Sequence, residues 1–466
     1  MDGCLKLHFV FYDFETTGRS PAFDQALQFA AIYTDEGFNE IDRVNIRCRL
    51  LPHILPAPAA LKITGVDPAD TLNSDLSSAF EFAQKLQFFT ETWAPATWIG
   101  FNSINFDENF LRQIFYQNLQ PNIFATQYHG NNRHDLMNIV YAVYTQHPTL
   151  LKWPENEVGK KVFKLDQLAP ANGFDHSDAH DALADVEATI FILSLIRERH
   201  ESFYDEIMEM RDKSHVKSIL SPQEPVQVTL RYGSGAPKQY RGCLAGSQSG
   251  NGNSFGFFNI DQEDPAGLIM GDQSKIDEIV KNVPASIRTL QYNKSLIFLP
   301  VENPEPEILR VCDLIRENTE FQLRVTAALD RKFEHAEDQE RLVEQKIFDL
   351  FDSPDKDLLF RFQDASWEER LELVLSMQDS RYRQLGMRLI ASHAPQLLSN
   401  SQKDSFINFI RDRWSQTGKT DWETLEKVSE ALNKMESGGE GDVEVLQNYR
   451  NFYNKRLQEA GIRGSV

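Results

Sequence analysis

The chain has 466 residues, of which 41% are hydrophobic, and its formal net charge at pH 7 is −21. This length exceeds what one hydrophobic core supports and indicates two to four domains. Such an acidic chain repels nucleic acid at long range, so a nucleic-acid partner would require a locally basic groove. The four cysteines lie far apart without CxxC spacing, which argues against a disulfide framework or a zinc ribbon and favours the reducing cytoplasm. No membrane association is expected, because no segment approaches the roughly 18 apolar residues of a membrane span.

Apolar runs alternate with amphipathic segments over residues 1–200. Period-two and period-3.6 patterns of this kind predict strands and helices, respectively. The predicted strands span residues 7–15, 26–34, 44–50 and 97–102. The predicted helices span residues 77–92, 106–118, 134–146, 163–169 and 181–199. Consecutive strands followed by strand–helix alternation predict an α/β domain with a mixed sheet.

The composition changes after residue 200. Residues 201–302 contain the alternating VQVTLRY, the glycine-rich GSGAPKQYRGCLAGSQSGNGNSFGFFNI and the apolar SLIFLP, which together predict a small β-rich domain. Residues 303–466 are predicted to be helical, with capping-box patterns at residues 366–369 and 420–423. The predicted domains are therefore 1–200, 201–302 and 303–466.

The stretch FYDFETTGRS places two carboxylates, Asp13 and Glu15, in an otherwise apolar strand. Burial of an acidic side chain is costly unless the group is paired or bound to a metal. Because side chains alternate across a strand, both carboxylates face one side, about two residue rises of roughly 3.3 Å apart. The pattern therefore predicts a cation site on the first strand.

A further acid follows the segment WIGFNSIN, where Asp107 is predicted to begin a helix. Taken alone, an acid at this position is also explained by the helix dipole, which favours negative charge at the first turn. Asp107 therefore becomes a candidate ligand only in combination with the first pair.

The last acidic segment is HSDAHDALADVEATI, predicted to be helical from about Asp181. Inside one regular helix, His180 and Asp185 would lie roughly 140° apart. They can share a site only if His180 precedes the helix. The alternative is a cluster of capping and surface acids, in which His176 and Asp178 crowd the same loop.

The order Asp-x-Glu, then Asp, then His-x4-Asp resembles the DEDD superfamily of 3′→5′ exonucleases, in the subgroup with a histidine five residues before the last aspartate. Further segments are similar to the bacterial exonuclease I family of single-strand-specific deoxyribonucleases, namely FYDFETTG, ALQFAAIYTDEGFN, LKITGV, GFNSINFDE, NNRHDLMN, WPEN and LDQLAPANGFDHSDAHDALADV. The resemblance implies a ribonuclease H-like exonuclease domain, a small SH3-like β domain and a helical C-terminal domain.

The resemblance implies four metal ligands, namely Asp13, Glu15, Asp107 and Asp185. Two divalent ions would balance these four charges, and hard oxygen ligands favour Mg²⁺, with Mn²⁺ able to substitute, over zinc. Two such ions about 3.5 to 4 Å apart stabilise the attacking and leaving oxygens of an in-line displacement at phosphorus. His180 is the expected general base, because an imidazole of pKa near about 6.5 can accept the proton of the attacking water. His176 is the less favoured candidate for this role.

By the same resemblance, a further set of residues binds the terminal nucleotide, namely Phe14, Glu15, Thr16, Thr17, Ile63 in the loop ITGV, Phe101, Asn102, Phe106, Arg133 and Lys164. Ordinary core packing is an equal alternative for Phe101 and Phe106, and a solvated face is the alternative for the basic residues. Stacking of bases on aromatic faces tolerates any sequence. The expected partners are 3′ ends of single-stranded DNA and the acidic C-terminal tail of single-strand DNA-binding protein, and the expected state is a monomer.

The expected function is a Mg²⁺-dependent 3′→5′ exonuclease that degrades single-stranded DNA to 5′-mononucleotides, in DNA repair and recombination. One alternative is a 3′-exoribonuclease for short RNA, against which the additional two domains argue. Another is a catalytically idle scaffold that binds single-stranded DNA, against which the presence of all five motif residues argues.

Overall fold

A computed structural model describes residues 8–175, 181–282, 284–333, 341–349, 354–439, 442–462 and 466. Its strands are β1 (Phe9–Thr16), β2 (Ala26–Thr34), β3 (Glu40–Arg47), β4 (Thr97–Gly100), β5 (Asn132–Asp135), β6 (Val226–Leu230), β7 (Lys238–Ser247), β8 (Ser254–Asn259), β9 (Ile287–Gln291) and β10 (Phe298–Pro300). Its helices up to the second sheet are α1 (Pro58–Thr64), α2 (Ala79–Thr92), α3 (Asp107–Gln117), α4 (Leu136–Gln146), α5 (Leu165–Ala171), α6 (Ala182–Arg199), α7 (Glu201–Glu209) and α8 (Lys213–Leu220). The later helices are α9 (Pro265–Ile269), α10 (Gln273–Lys281), α11 (Pro306–Glu317), α12 (Thr319–Phe333), α13 (Lys356–Asp364), α14 (Trp367–Ser376), α15 (Ser380–His393), α16 (Asn400–Ser415), α17 (Leu425–Ser437) and α18 (Val443–Glu459).

The first sheet has the strand order β3-β2-β1-β4-β5. Strand β1 runs antiparallel to β2 and parallel to β4, and β4 runs parallel to β5, which confirms the predicted mixed sheet. Alternate residues of β1 enter two different cores, because Phe9 and Phe11 pack with α4 and α6 while Val10 and Tyr12 pack with α2 and α3. Burial on both faces makes β1 the central strand, and its carboxylates are therefore withdrawn from bulk water.

Several elements of this domain differ from the prediction, and the third strand spans Glu40–Arg47 where residues 44–50 were predicted. Strand β5 has the polar sequence NRHD, yet His134 and Asp135 are fully buried, with Nε2 of His134 2.9 Å from the carbonyl oxygen of Ile207. Strand β5 is thus held by tertiary hydrogen bonds, whereas the strand prediction relied on the alternation of apolar residues. The segment ITGV is not wholly a loop, because Ile63 lies in the last turn of α1, which ends at Gly65 with a φ of 64°.

The second sheet is antiparallel, with the order β10-β6-β7-β8-β9, and confirms a β-rich region between residues 226 and 300. Helices α9 and α10 between β8 and β9 were not predicted. Helix α12 packs closely on β7 and β8, where a Cβ at Gly246 would lie 2.9 Å from the carbonyl oxygen of Gln322. Helices α11 and α12 share one hydrophobic core with this sheet. Elements on both sides of residue 302, the predicted domain boundary, therefore pack in this shared core. The domain boundaries and the SH3-like topology stay predictions.

The rest of the chain is helical, as predicted. The capping box at Ser366 and Glu369 is present, but the one predicted at Thr420 is wrong, because Thr424 caps α17 instead. This region packs on the first domain, where the indole of Trp414 donates to the carbonyl oxygen of His53 at 3.0 Å. Among the described residues, none of the helices combines the length and hydropathy that a bilayer crossing requires.

Candidate metal centre and nuclease active site

Three of the predicted ligands converge in the structure. Carboxylate oxygens of Asp13, Glu15 and Asp185 all lie within 4.8 Å of one another. The first two project from the same face of β1, as the alternation of side chains predicts, and Asp185 comes from the first turn of α6. A group of three carboxylates at this separation matches the donor set of a divalent cation site.

The first turn of α6 is anchored to the sheet. Asp181 is its N-cap and accepts a hydrogen bond from the backbone N–H of Leu183 at 3.1 Å. The other carboxylate oxygen of Asp181 accepts from the side-chain amide of Gln28 at 2.9 Å and lies 3.6 Å from the guanidinium of Arg47. Because β2 carries Gln28, this contact fixes the helix end, and with it Asp185, against the sheet.

Helix α6 begins at Ala182, so His180 precedes the helix along the chain, as the spacing to Asp185 requires. His180 itself, together with His176 and Asp178, lies outside the described residues. The general base therefore stays a prediction.

Asp107 lies beside the group of three. It is the first residue of α3, is only 2% exposed, and its Oδ1 accepts a hydrogen bond from the backbone N–H of Phe14 at 3.2 Å. Phe14 sits between Asp13 and Glu15 on β1, so this bond holds the fourth carboxylate against the same strand segment.

Burial and mutual repulsion dominate the electrostatics of the site. Burial, followed by the charges of Asp107 and Asp185, raises the pKa of Asp13 well above its ordinary value. Burial and the same kind of repulsion raise the pKa of Glu15 to about 8. Burial also raises the pKa of Asp107 to about 8, against the hydrogen bond from Phe14. These oxygen donors can all ionise at neutral pH only with compensating positive charge, which fits hard divalent cations.

The metal-free protein is expected to lose thermal stability as the pH rises from about 5 to about 8. Glu15 and Asp107 have ordinary pKa values of 4.5 and 3.8, whereas the folded chain keeps their protons until about 8. Over that interval the native state binds more protons than the unfolded state, so the free energy of unfolding falls with pH. Divalent metal binds the ionised carboxylates and should raise Tm more at pH 8 than at pH 6. Calorimetry in EDTA and in Mg²⁺ measures both effects, and a gain in Tm from Mg²⁺ that is equal at the two pH values would contradict the expectation.

A buried carboxylate that the sequence analysis missed supports Asp107. Glu108 is 1% exposed and accepts hydrogen bonds from the Tyr12 hydroxyl at 3.2 Å and the Thr126 hydroxyl at 2.7 Å. It also pairs with Arg133 at 2.9 Å and with Arg112 at 3.1 Å. Burial alone would raise the pKa of Glu108, but the charges of Arg133 and Arg112, together with the hydrogen bond from Thr126, lower it. These hydrogen bonds and ion pairs of Glu108 fix the first turn of α3. In the sequence, the only indication of this role is that Glu108 is an acid adjacent to the predicted ligand Asp107.

Residues 102–106, here called the site loop, lie between β4 and α3 and are held by Asp135. The Asp135 carboxylate accepts from the backbone N–H groups of Asn102 at 2.9 Å and Ile104 at 3.1 Å. Asn102 has a φ of 66°, a left-handed conformation that this hydrogen bond supports. Asp135 was assigned no role from the sequence, because nothing local distinguishes it from an ordinary helix cap.

The predicted nucleotide-binding residues on β1 lie at the carboxyl end of that strand. Phe14 is buried against Phe29 with ring centroids 4.9 Å apart, so its side chain belongs to the core. The Thr16 hydroxyl donates to the carbonyl oxygen of Gly18 at 2.7 Å, and Thr17 is fully buried. The side chains of this segment are therefore engaged in contacts within the protein.

The other predicted nucleotide-binding residues are dispersed. Ile63 is 50% exposed at the end of α1, and Lys164 is exposed before α5. Phe101 is partly buried against the main core, and Phe106 packs on Phe110 with ring centroids 5.0 Å apart. Arg133, by contrast, is buried in the Glu108 ion pair, which accounts for this side chain without any nucleic-acid ligand. Their roles in binding stay predictions.

Comparison with known proteins gives the class and then the family. An exonuclease family model matches residues 10–193, over the domain that carries the carboxylates, so the first domain is of the exonuclease class. A second model, for the exonuclease I C-terminal domain, matches residues 341–456. The chain belongs to the exonuclease I family.

Similar curated proteins carry the name exodeoxyribonuclease I. The chain is 37% identical to the Escherichia coli K12 protein over 221 residues, which is 47% of this chain and 46% of that protein. It is 27% identical to the protein of Buchnera aphidicola subsp. Schizaphis graminum over 431 residues, or 87% of each chain. The alignment with the E. coli protein thus spans about half its length, whereas the second extends over most of both chains.

Solved structures show the same fold over nearly the whole chain. E. coli exonuclease I in complex with a dT13 oligonucleotide matches with a TM-score of 0.83 at 24% identity, covering 97% of this chain and 100% of that one. A moderately thermophilic exonuclease I from Methylocaldum szegediense gives 0.84 at 22% identity, with the same coverage. A structure described as SSB/exonuclease I with the inhibitor CFAM gives 0.82 at 23% identity, covering 98% and 100%.

Proposed function

We propose that this protein is a 3′→5′ exonuclease that hydrolyses single-stranded DNA to 5′-mononucleotides. The observation that carries the proposal is the convergence of Asp13, Glu15 and Asp185 at the carboxyl end of a central strand, with Asp107 held beside them. The names of the relatives and the oligonucleotides in the similar E. coli structures support single-stranded DNA as the substrate.

Mg²⁺ is the cofactor in this proposal, as two ions for which Mn²⁺ can substitute. The four carboxylates supply only oxygen donors, which suits these hard ions. When bound, the ions would polarise the phosphate and lower the pKa of water. The chain's own residues hold the site in place, because Asp181 fixes α6 through Gln28 and the backbone of Phe14 fixes Asp107. His180, immediately before the N-cap of α6, is the proposed acceptor of the proton from the attacking water.

The nucleotide next to the scissile bond is proposed to lie along the backbone of Phe14, Thr16 and Thr17. Ile63 and the aromatic side chains of Phe101 and Phe106 would contact its base and sugar. Asn102 lies at the start of the site loop and would face the same nucleotide. Exposed Lys164 would neutralise a phosphate, a contribution that makes binding dependent on salt. Arg133 is the weakest member of the set, since its guanidinium already neutralises Glu108.

The remaining assignments concern the whole protein. The proposed domains are an exonuclease domain at 1–200, an SH3-like domain at 201–302 and a helical domain at 303–466, which together enclose the DNA strand. The acidic tail of single-strand DNA-binding protein is the proposed protein partner, and the structure described as SSB/exonuclease I supports it. A monomeric state, a cytoplasmic location and a role in DNA repair and recombination complete the proposal.

The test compares end-labelled single-stranded DNA, duplex DNA and RNA, each with Mg²⁺ and with EDTA. We expect stepwise release of 5′-mononucleotides from the 3′ end of single-stranded DNA only when Mg²⁺ is present. Preferential digestion of short RNA would replace the proposal with an exoribonuclease. Binding of single-stranded DNA without any release of mononucleotides would instead indicate an inactive scaffold.

A further inference from the structure

The turn between β9 and β10, residues 292–297, connects the second sheet to the first domain. The side-chain amide of Asn138 on α4 donates to the carbonyl oxygens of Lys294 at 3.1 Å and Ser295 at 3.2 Å. In return, the Ser295 hydroxyl donates to the carbonyl oxygen of Arg133 on β5 at 3.1 Å. Ser295 is 5% exposed and has a φ of 49°, so the turn is held in one specific conformation against the exonuclease domain.

This turn directs Lys294 at the site loop. Nζ of Lys294 donates to Oδ1 of Asn105 at 3.3 Å. The backbone N–H of Asn105 donates to the carbonyl oxygen of Asn102 at 3.2 Å, which closes the loop on itself. Asp135 holds the loop from the first domain, so Lys294 supplies a second support from a different part of the chain. The site loop leads directly into Asp107, the first residue of α3.

A second path from the same turn reaches the same carboxylate. One guanidinium nitrogen of Arg133 lies 3.5 Å from the carbonyl oxygen of Asn293, and the other donates to Glu108 at 2.9 Å. Glu108 is the neighbour of Asp107 in the first turn of α3. Burial and repulsion by Arg112 and Arg133 lower the pKa of Lys294, against the attraction of the Asp135 and Glu108 carboxylates. The turn is therefore coupled to Asp107 through the site loop and through the Glu108 network.

We propose that Lys294 is a positioning residue for the metal centre, and that it makes the second sheet part of the catalytic machinery by holding the site loop through Asn105. Its catalytic consequence rests on the proposed nuclease function, whereas its effect on metal binding does not. A displacement of Asp107 by a fraction of an ångström weakens the cation site and misaligns the reacting phosphate. Lys294 acts through Asn105 and the loop and makes no contact with the substrate in this proposal.

The test uses the full-length protein with Lys294→Met, Lys294→Arg and the control Lys281→Met, which removes an exposed lysine at the end of α10. Titration with Mn²⁺ alone, without DNA, measures metal affinity by calorimetry. We expect Lys294→Met to weaken Mn²⁺ binding about tenfold and to lower kcat about 10- to 100-fold. Lys294→Arg should recover most of both losses, and Lys281→Met should match the wild type. The Kd for an oligonucleotide in Ca²⁺, which suppresses cleavage, should change less than about threefold.

A second pair of variants tests the route through the loop. Asn105→Ala should reproduce the weaker Mn²⁺ binding, and the double variant with Lys294→Met should be no worse than Asn105→Ala alone, because both changes remove the hydrogen bond between Lys294 and Asn105. Additive losses would overturn the proposal. Unchanged Mn²⁺ affinity combined with weaker DNA binding and a shallower salt dependence would overturn it too, since Lys294 would then contact phosphate. If the wild type has no nuclease activity, the proposed function fails, while the Mn²⁺ titrations still decide the role of Lys294.

Discussion

Asp185→Ala is expected to remove both nuclease activity and metal binding. The carboxylate of Asp185 lies with those of Asp13 and Glu15 inside one group of oxygens. Its loss leaves too little negative charge and too few ligands for two divalent ions, and metal ions contribute several kcal/mol to the stabilisation of such transition states. We therefore expect kcat to fall about 10³-fold or more. Single-turnover kinetics and a Mn²⁺ titration measure the two losses on the same preparation.

The matched control is Glu187→Ala, which removes an acid two residues away on the same helix. Glu187 is 43% exposed and pairs with Arg43 at 3.2 Å, a surface contact that contributes little to stability. This variant should retain wild-type kcat and Mn²⁺ affinity. Normal Mn²⁺ affinity in Asp185→Ala would show that Asp185 is not a ligand, whereas equal losses in both variants would point to damage to α6 as a whole.

The sequence was sufficient for the parts of this site that depend on local periodicity. Alternation along β1 predicted that Asp13 and Glu15 share a face, and the structure places both beside Asp185. The start of α3 at Asp107 and of α6 at Ala182 follows from helical periodicity and capping within one or two residues of the predicted positions. These features are determined by neighbours in the sequence, so one sequence predicts them.

What the sequence missed depends on distant residues. Strand β5 was not predicted because its polar side chains pair with residues distant in the sequence, as Arg133 does with Glu108. The burial of Arg133 was equally beyond prediction, because a basic residue near acidic motifs carries no local sign of burial in the sequence. The contact between Lys294 and Asn105 joins residues 189 positions apart, and no periodicity within either segment encodes it.

The raised pKa values are a further property that only the fold supplies. The motif predicted that carboxylates meet, but the pKa of about 8 for Glu15 arises from its burial and from the nearby charge of Asp185 in the folded chain. Protonation of Glu15 at neutral pH makes metal binding a proton-releasing step. Burial of these carboxylates therefore makes both the metal affinity and the stability of the protein depend on pH, a dependence that the identity of the ligands alone does not predict.

His180→Ala is expected to have a different outcome from Asp185→Ala. If His180 accepts the proton of the attacking water, its loss should lower kcat about 10²- to 10⁴-fold while metal and DNA binding persist. The motivating observation is that α6 begins at Ala182 with Asp181 as its N-cap, so the histidine precedes the helix along the chain, as its spacing to Asp185 requires. The oligonucleotide Kd in Ca²⁺, the Mn²⁺ affinity and kcat are measured together, with His215→Ala on α8 as the control.

The pH dependence of kcat separates a base from a positioning group. In the wild type, kcat should fall as acid protonates an imidazole whose ordinary pKa is about 6.5, because the charged ring cannot accept a proton. That part of the profile should disappear in His180→Ala, and a higher pH, which supplies more hydroxide, should partly restore the rate. Near-normal turnover in His180→Ala would exclude the histidine as the base. Loss of Mn²⁺ affinity as complete as in Asp185→Ala would instead make His180 part of the metal site, because a base that touches only water leaves the carboxylates and their ions in place.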